Sequence, residues 1–188
     1  MKKQLSIEKI ITGCRKGRAD CQRALVDNYS ELLYSICLRY TGDETKSKDV
    51  LQEAFIRIFR YIDKYDPDKG ALTTWMRKIC VNVALRSLKK KNLEVSTLTV
   101  EFNNRVIIEP EILSKFGRED LMKVVMTLPD GYRQVFNLSV IEGYSHKEIG
   151  KMLGIQEVSS RSNLSRAKQI LRKKLQAYQN SDQWIKTS

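Results

Sequence analysis

The chain has 188 residues, 41% of them hydrophobic, enough for one medium core or two small ones, which excludes a disordered chain. Lys and Arg number 34 against 22 Asp and Glu, a formal net charge of +12, so a polyanion is the most economical class of partner. No apolar run approaches the ~20 residues of a membrane span, and three prolines and nine glycines in a chain rich in Leu, Ile, Lys, Arg and Glu favour an all-helical fold.

The opening MKKQLSIEKIITGCRKGRAD has two lysines but a broken, charged centre. It is a poor signal peptide, and a cytoplasmic location is expected. Cys14, Cys21, Cys37 and Cys80 form no CxxC pair, and the one histidine, His146, lies far along the chain. Zinc ligation needs close ligand pairs, so the four are expected to be reduced thiols, Cys37 and Cys80 at helical core spacing, with no metal and no cofactor.

Leu25, Tyr29, Leu32, Leu33, Ile36, Cys37 and Tyr40 recur at three- and four-residue steps and stop at Thr41-Gly42-Asp43. This predicts an amphipathic helix closed by a glycine. A second helix carries Val50, Leu51, Ala54, Phe55, Ile58, Phe59 and Ile62, and DKYDPDKG after it reads as a loop. A third runs through Trp75, Met76, Ile79, Val83, Leu85 and Leu88 into the basic Arg86 and Lys89-Lys90-Lys91. Three helices around one apolar centre make a domain.

Most of the positive charge lies in the first ninety residues, whereas VSTLTVEFNNRVIIEPE is slightly acidic and has β-branched residues without a sustained period. It is expected to be an extended linker, with a packed pair of strands as the alternative. Beyond it, a helix from about Arg118 to Thr127 is broken by Leu128-Pro129-Asp130-Gly131, and GYRQVFNLSVIEG continues as the next. Ser145 with Glu148 three residues on forms a capping box, and Gly154 supplies a turn.

The last helix places Ser160, Leu164, Ala167, Leu171 and Leu175 inward, and throws Ser159, Ser162, Ser165 and Arg166 outward with Arg161 at the edge. Small hydroxyls among arginines suit a major groove, because they approach closely and hydrogen-bond to base edges and phosphates. Between Gln156 and Lys174 the one acid is Glu157, in the first turn where the helix dipole favours it. His146 reads as a polar first-turn residue and not a catalytic base, since no activated nucleophile can be named beside it.

Two stretches together resemble a bacterial sigma factor of the sigma-70 family, in its small extracytoplasmic-function (ECF) group. YSICLRYTGDETKSKDVLQEAFIRIFRYIDKYDPDKGALTTWMRKICVNVALRSLKK is similar to region 2, and LPDGYRQVFNLSVIEGYSHKEIGKMLGIQEVSSRSNLSRAKQILRKKL to region 4. The resemblance implies an all-α chain of two small helical domains: region 2 over 1–92, a linker over 93–117, a region 4 helix-turn-helix over 118–178, and a tail over 179–188. It implies core RNA polymerase (the clamp helices of the largest subunit, and the flap), promoter DNA and an anti-sigma factor as partners, with no covalent chemistry and no membrane insertion.

By the same resemblance, Asp49, Gln52, Glu53 and Phe55 dock on the polymerase. The loop from Lys64 to Leu72, with Tyr65 and Asp66, receives a base flipped from the minus 10 element, which Asn82 also contacts. Lys78 and Arg86 suit phosphate contacts there. Ser159, Arg161, Ser162, Ser165 and Arg166 read the minus 35 element. Departures from the family pattern are Leu72, Arg86, Val158 and Ser165, which bear on loop packing, helix entry and base preference.

Two other classes compete. A helix-turn-helix regulator could bind an operator without being a polymerase subunit, but the first domain has neither a ligand-pocket signature nor a dimerisation seam. A nuclease needs clustered carboxylates, and Asp63, Asp66 and Asp68 are interleaved with Lys64 and Lys69 without a second acidic cluster.

Overall fold

The computed structural model describes residues 5–91 and 118–185, and the regular elements among them are all helical. They belong to two compact units, Met1–Glu94 and Val95–Ser188. The expected linker lies outside the described residues.

The first unit contains α1 (Ile7–Arg15), α2 (Ala19–Thr41), α3 (Glu44–Tyr61) and α4 (Leu72–Lys91). The sequence reading expects three helices here; α1 is a fourth. Ser6 Oγ accepts from the backbone N–H of Lys9 at its start, and Ile10, Ile11 and Cys14 are buried. The i, i+3, i+4, i+7 signal is present from Ile7 to Cys14, but charged neighbours shorten it to two turns.

Helices α2, α3 and α4 pack on one another, and α1 packs on α2. Leu25, Leu33, Ile36 and Tyr40 of α2 meet a core that includes Val50, Ala54 and Ile58 of α3 and Met76, Cys80 and Ala84 of α4, all buried. Burying each large aliphatic side chain stabilises by ~1.5–3 kcal/mol, which local helix propensity could not match. Leu32, expected on the inner face, is instead 37% exposed. At 100° per residue Leu33 and Ile36 take the contact stripe and turn Leu32 to its edge.

Gly42 ends α2 in the left-handed conformation, φ 68°, its N–H bonded to the carbonyl of Leu38. Asp43 then caps α3 through the N–H of Lys46, 2.8 Å away. The four cysteines are buried thiols, none of them in a disulfide. The sulfurs of Cys37 and Cys80 touch at 3.2 Å between α2 and α4. Burial above all, with the proximity of Cys21 and Asp20, pushes the Cys14 thiol up to about 11.

The second unit contains α5 (Arg118–Met126), α6 (Asp130–Phe136), α7 (His146–Leu153) and α8 (Glu157–Ile185). The expected single helix over GYRQVFNLSVIEG ends early: from Asn137 to Ile141 it widens into a π turn, closed by the N–H of Glu142 on the carbonyl of Asn137 at 2.9 Å. Asn137 and Leu138 are buried there. Helix α8 runs on past the boundary expected at residue 178.

Val124, Val125, Leu128, Phe136, Ala167, Leu171 and Leu175 form the core of this unit, with Leu164 packed against it. Arg133 of α6 is also buried. Its guanidinium donates to the carbonyls of Met126 (3.2 Å) and Leu128 (2.9 Å) and pairs with Asp130 at 2.6 Å. Carbonyls at and just beyond the end of α5, which have no partner within the helix, are satisfied in this way.

Candidate nucleic-acid interface

In the first unit, α3 gives way to a turn of 3-10 helix (Ile62–Lys64), then Tyr65 and Asp66 in extended backbone, then a second such turn (Pro67–Lys69). Gly70 follows with φ 142°, a backbone that an L side chain rarely adopts. Tyr65 is buried, and its hydroxyl donates to the carbonyl of Gly70 at 3.1 Å, so the ring spans the loop from within. Asp66 accepts from the N–H of Asp68 and pairs with Lys69 at 3.1 Å. These bonds, that from Lys69 foremost, hold its carboxyl below the usual carboxylate range.

The loop and the start of α4 line an open pocket of about 150 Å³, whose walls include Lys64, Tyr65, Asp66, Lys69, Trp75 and Lys78. An apolar cavity of about 150 Å³ holds a benzene ring, so the space suits a flat heterocycle. The rings of Tyr65 and Trp75 lie 5.6 Å apart at 52°. Trp75, like Leu32, departs from the place that periodicity gives it. Expected on the apolar face of α4, it is half-buried and lines the pocket. Its place in the first turn of the helix, directly after a glycine-bearing loop, was the available signal.

Lys78, Asn82 and Arg86 are all exposed. Four residues apart, they make one stripe along α4 leading away from the pocket. Met76, Cys80, Val83 and Ala84 cover the opposite face and are buried. A stripe of two cations and an amide beside a pocket lined by aromatic rings can bind a nucleic-acid backbone while the pocket receives a base.

On α3, Asp49 and Gln52 are exposed and Glu53 is half-buried, paired with Arg57 at 2.6 Å. Phe55 is 7% exposed and stacks on Phe59 with centroids 6.0 Å apart. It therefore supports the rim from beneath instead of standing on it. The sequence reading omits Ile56, which is 45% exposed and shares the rim stripe with Asp49, Gln52 and Glu53. A large aliphatic among acids and amides is the composition of a protein-binding face more than of a DNA-binding one.

In the second unit the capping box is complete: Ser145 Oγ accepts from the N–H of Glu148, and the Glu148 carboxylate accepts from the N–H of Ser145. The Ser145 hydroxyl, which also donates to the Glu148 carboxylate at 2.7 Å, and then the Ser145 N–H hold that carboxyl below its ordinary value. Gly154, φ 73°, ends α7, and a side chain at Gly150 would lie 2.7 Å from the carbonyl oxygen of Ile155. That close approach sets the turn between α7 and α8.

Along α8, Ser160 is fully buried, as expected, and accepts or donates a hydrogen bond with His146 Nδ1 at 2.9 Å. Arg161 is exposed and paired with Glu157 one turn back. Ser159, Ser162, Ser165 and Arg166 are half-buried, less open than helical periodicity alone predicts. Ser162 bonds back to the carbonyl of Ser159, and Arg166 reaches the hydroxyl of Tyr132 at 3.4 Å on α6. Val158, 72% exposed, shares the face with Arg161, Ser162 and Ser165. Hydroxyls, arginines and one small apolar side chain can read base edges and a thymine methyl.

Among the described residues no three His, Cys, Asp or Glu side chains are grouped so as to hold a metal ion. No described helix is long and apolar enough to cross a membrane.

The Sigma-70 region 2 family model matches residues 25–94, and the Sigma-70 region 4 model matches residues 118–171. Among curated proteins, the ECF RNA polymerase sigma factor SigW of Bacillus subtilis is 29% identical over 184 residues, covering 92% of this chain and 98% of that protein. The ECF RNA polymerase sigma factor SigE of Mycolicibacterium smegmatis is 32% identical over 154 residues, covering 79% of this chain and 59% of that protein. The ECF RNA polymerase sigma-E factor of Escherichia coli K12 is 28% identical over 190 residues, covering 94% and 97%.

Proposed function

The chain belongs to the ECF group of the sigma-70 family, and from that premise we propose how its residues divide the work of a promoter-specificity subunit. It binds core RNA polymerase and directs recognition of the minus 10 and minus 35 elements, promoter melting and initiation. A match of residues 25–94 to sigma region 2 leaves an operator-binding regulator without support. The division proposed is a region 2 domain over 1–92, a linker over 93–117 and a region 4 domain over 118–178.

In this reading the α3 rim, Asp49, Gln52 and Glu53 with Phe55 beneath, meets the polymerase clamp. The pocket beside Tyr65 and Trp75 takes a base extruded from the minus 10 element, and Lys78, Asn82 and Arg86 follow the strand from which it came. Extruding a base costs a few kcal/mol. Stacking on an aromatic returns about 1–3 kcal/mol, so hydrogen bonds from Asn82 and the loop must supply the rest. The loop from Lys64 to Lys69 carries two cations beside the pocket, and its Asp66 pairs with Lys69, which suits binding of a strand without chemistry on it. No residue set for covalent catalysis enters the scheme, and the chain is read as a binding subunit and not an enzyme.

Arg161, Ser162, Ser165 and Arg166, with Ser159 at the helix start, read the minus 35 element. An anti-sigma factor would compete for the polymerase-binding face, and the chain would work in the cytoplasm, where the polymerase is. The observation that carries the reading is the pocket of about 150 Å³ flanked by the Lys78, Asn82 and Arg86 stripe, in the unit that matches region 2.

Run-off transcription with purified core polymerase tests it. Initiation at a promoter selected from a randomised pool is expected with core and chain together, and from neither alone. Permanganate footprinting should reveal unpaired thymines at the minus 10 element. Failure of the chain to bind core would overturn the reading, as would tight duplex binding by the chain without core.

A further inference from the structure

Resting on the pocket reading, we infer that Arg15 is a positioning residue for the minus 10 base. Its guanidinium, carried by the last turn of α1, holds the backbone of the loop that forms one wall of the pocket. Arg15 Nη2 lies 2.6 Å from the carbonyl oxygen of Tyr65, fifty residues along the chain. Arg15 precedes the segment matched to sigma region 2, which begins at residue 25. It does not line the pocket itself.

The placement has a clear physical use. Tyr65 stands in extended backbone between two short 3-10 turns, so its carbonyl is not taken up by a helix ladder. A loop of this kind, exposed on both flanks, samples several backbone geometries unless something fixes it. The Tyr65 ring is held on one side, by its hydroxyl on the Gly70 carbonyl and by Trp75. Arg15 holds the peptide on the other, with a charge-assisted donor, the stronger kind of hydrogen bond.

Helix α1 is a firm base for that donor. Ile10, Ile11 and Cys14 anchor it in the core, and it packs on the Ile62–Lys64 turn, where Ile62 is 1% exposed. The same guanidinium is close enough to Asp66 for its charge to favour the carboxylate, and Asp66 in turn organises the Pro67–Lys69 turn through Asp68 and Lys69. One side chain thus reaches both residues at the centre of the loop. A pocket kept in shape before the base arrives need not be ordered on binding, and the saving appears as affinity for the extruded base alone.

The test uses holoenzyme, with wild-type chain, Arg15→Met, Arg15→Gln or Arg15→Lys, and a forked duplex bearing the minus 10 element selected by the wild type. Each unpaired position is replaced in turn by an abasic site to find the one at which the wild type depends on the base. At that position Arg15→Met is expected to bind the base-containing fork about tenfold more weakly than wild type, a change worth about 1.4 kcal/mol. It should bind the abasic fork equally well. Arg15→Lys should recover most of the difference, and thermal melting of the free variants should stay close to wild type. Arg15→Gln, which keeps a neutral donor, provides the same comparison if Arg15→Met folds poorly.

Equal losses on both forks would overturn the inference in favour of a phosphate contact, as would a variant that binds both like wild type. A wild type indifferent to every base would instead remove the pocket reading, and this inference with it.

Discussion

His146 Nδ1 lies 2.9 Å from the buried hydroxyl of Ser160, joining the first turn of α7 to the first turn of α8. The pair ties the two helices together on the buried side of α8. Burial, reinforced by the charges of Arg161 and Lys168 and opposed by Glu157, holds the imidazolium below its ordinary value of 6.5.

The unfolded chain therefore takes up this proton at a higher pH than the folded one. Stability from the pair is complete above about pH 6.5 and is lost as pH falls below it towards the folded value. Thermal melting of the full chain should show the second unit weakening as pH falls below about 6.5, and His146→Gln should flatten that slope. Parallel slopes in the two proteins would dismiss the role.

Arg161 is paired with Glu157 on the face assigned to the minus 35 element. Reading a guanine needs that guanidinium free, and Glu157 would also approach DNA phosphates. Holoenzyme carrying Glu157→Gln should bind promoter more tightly at low salt, by up to a few-fold, because an exposed pair of this kind contributes only ~0.3–0.5 kcal/mol. Arg161→Ala should cost about 1–3 kcal/mol at one base position, and measured affinities across a set of single-base promoter variants would reveal which.

Gly150 stands where a Cβ would lie 2.7 Å from the backbone oxygen of Ile155, whereas Gly131 has nothing within 4 Å. Gly150→Ala must open the turn, with an expected cost of about 1–3 kcal/mol and weaker minus 35 binding. Gly131→Ala, near the start of α6, should instead be neutral or stabilising by up to about 1 kcal/mol. Urea unfolding of both variants provides the comparison, and equal effects would refute the packing argument.

Arg133→Met is expected to destabilise the second unit by about 2–4 kcal/mol. It removes donors to the carbonyls of Met126 and Leu128 and leaves Asp130 without its partner. Asp130→Asn should cost less, since Asp130 is partly exposed and the two carbonyls keep their donor. Denaturant midpoints that rank the two variants the other way would shift the weight to the ion pair.

The helical fold, the division into two halves and the family were legible in the chain because they rest on periodicity and on contiguous motifs. Gly42, the Ser145–Glu148 capping box and Gly154 are local devices, set by residues within a turn of one another, and the structure has each where spacing put it. What spacing could not supply depends on partners distant in sequence. The burial of Phe55, the turning of Trp75 into the pocket and the half-covering of Arg166 by Tyr132 follow from which helix lies alongside. So does α1, whose two turns are stable because α2 and the loop cover them. The bond from Arg15 to Tyr65 is the extreme case: its two ends are fifty residues apart, and only packing brings a guanidinium and a free carbonyl together in the part-buried setting where such a bond matters.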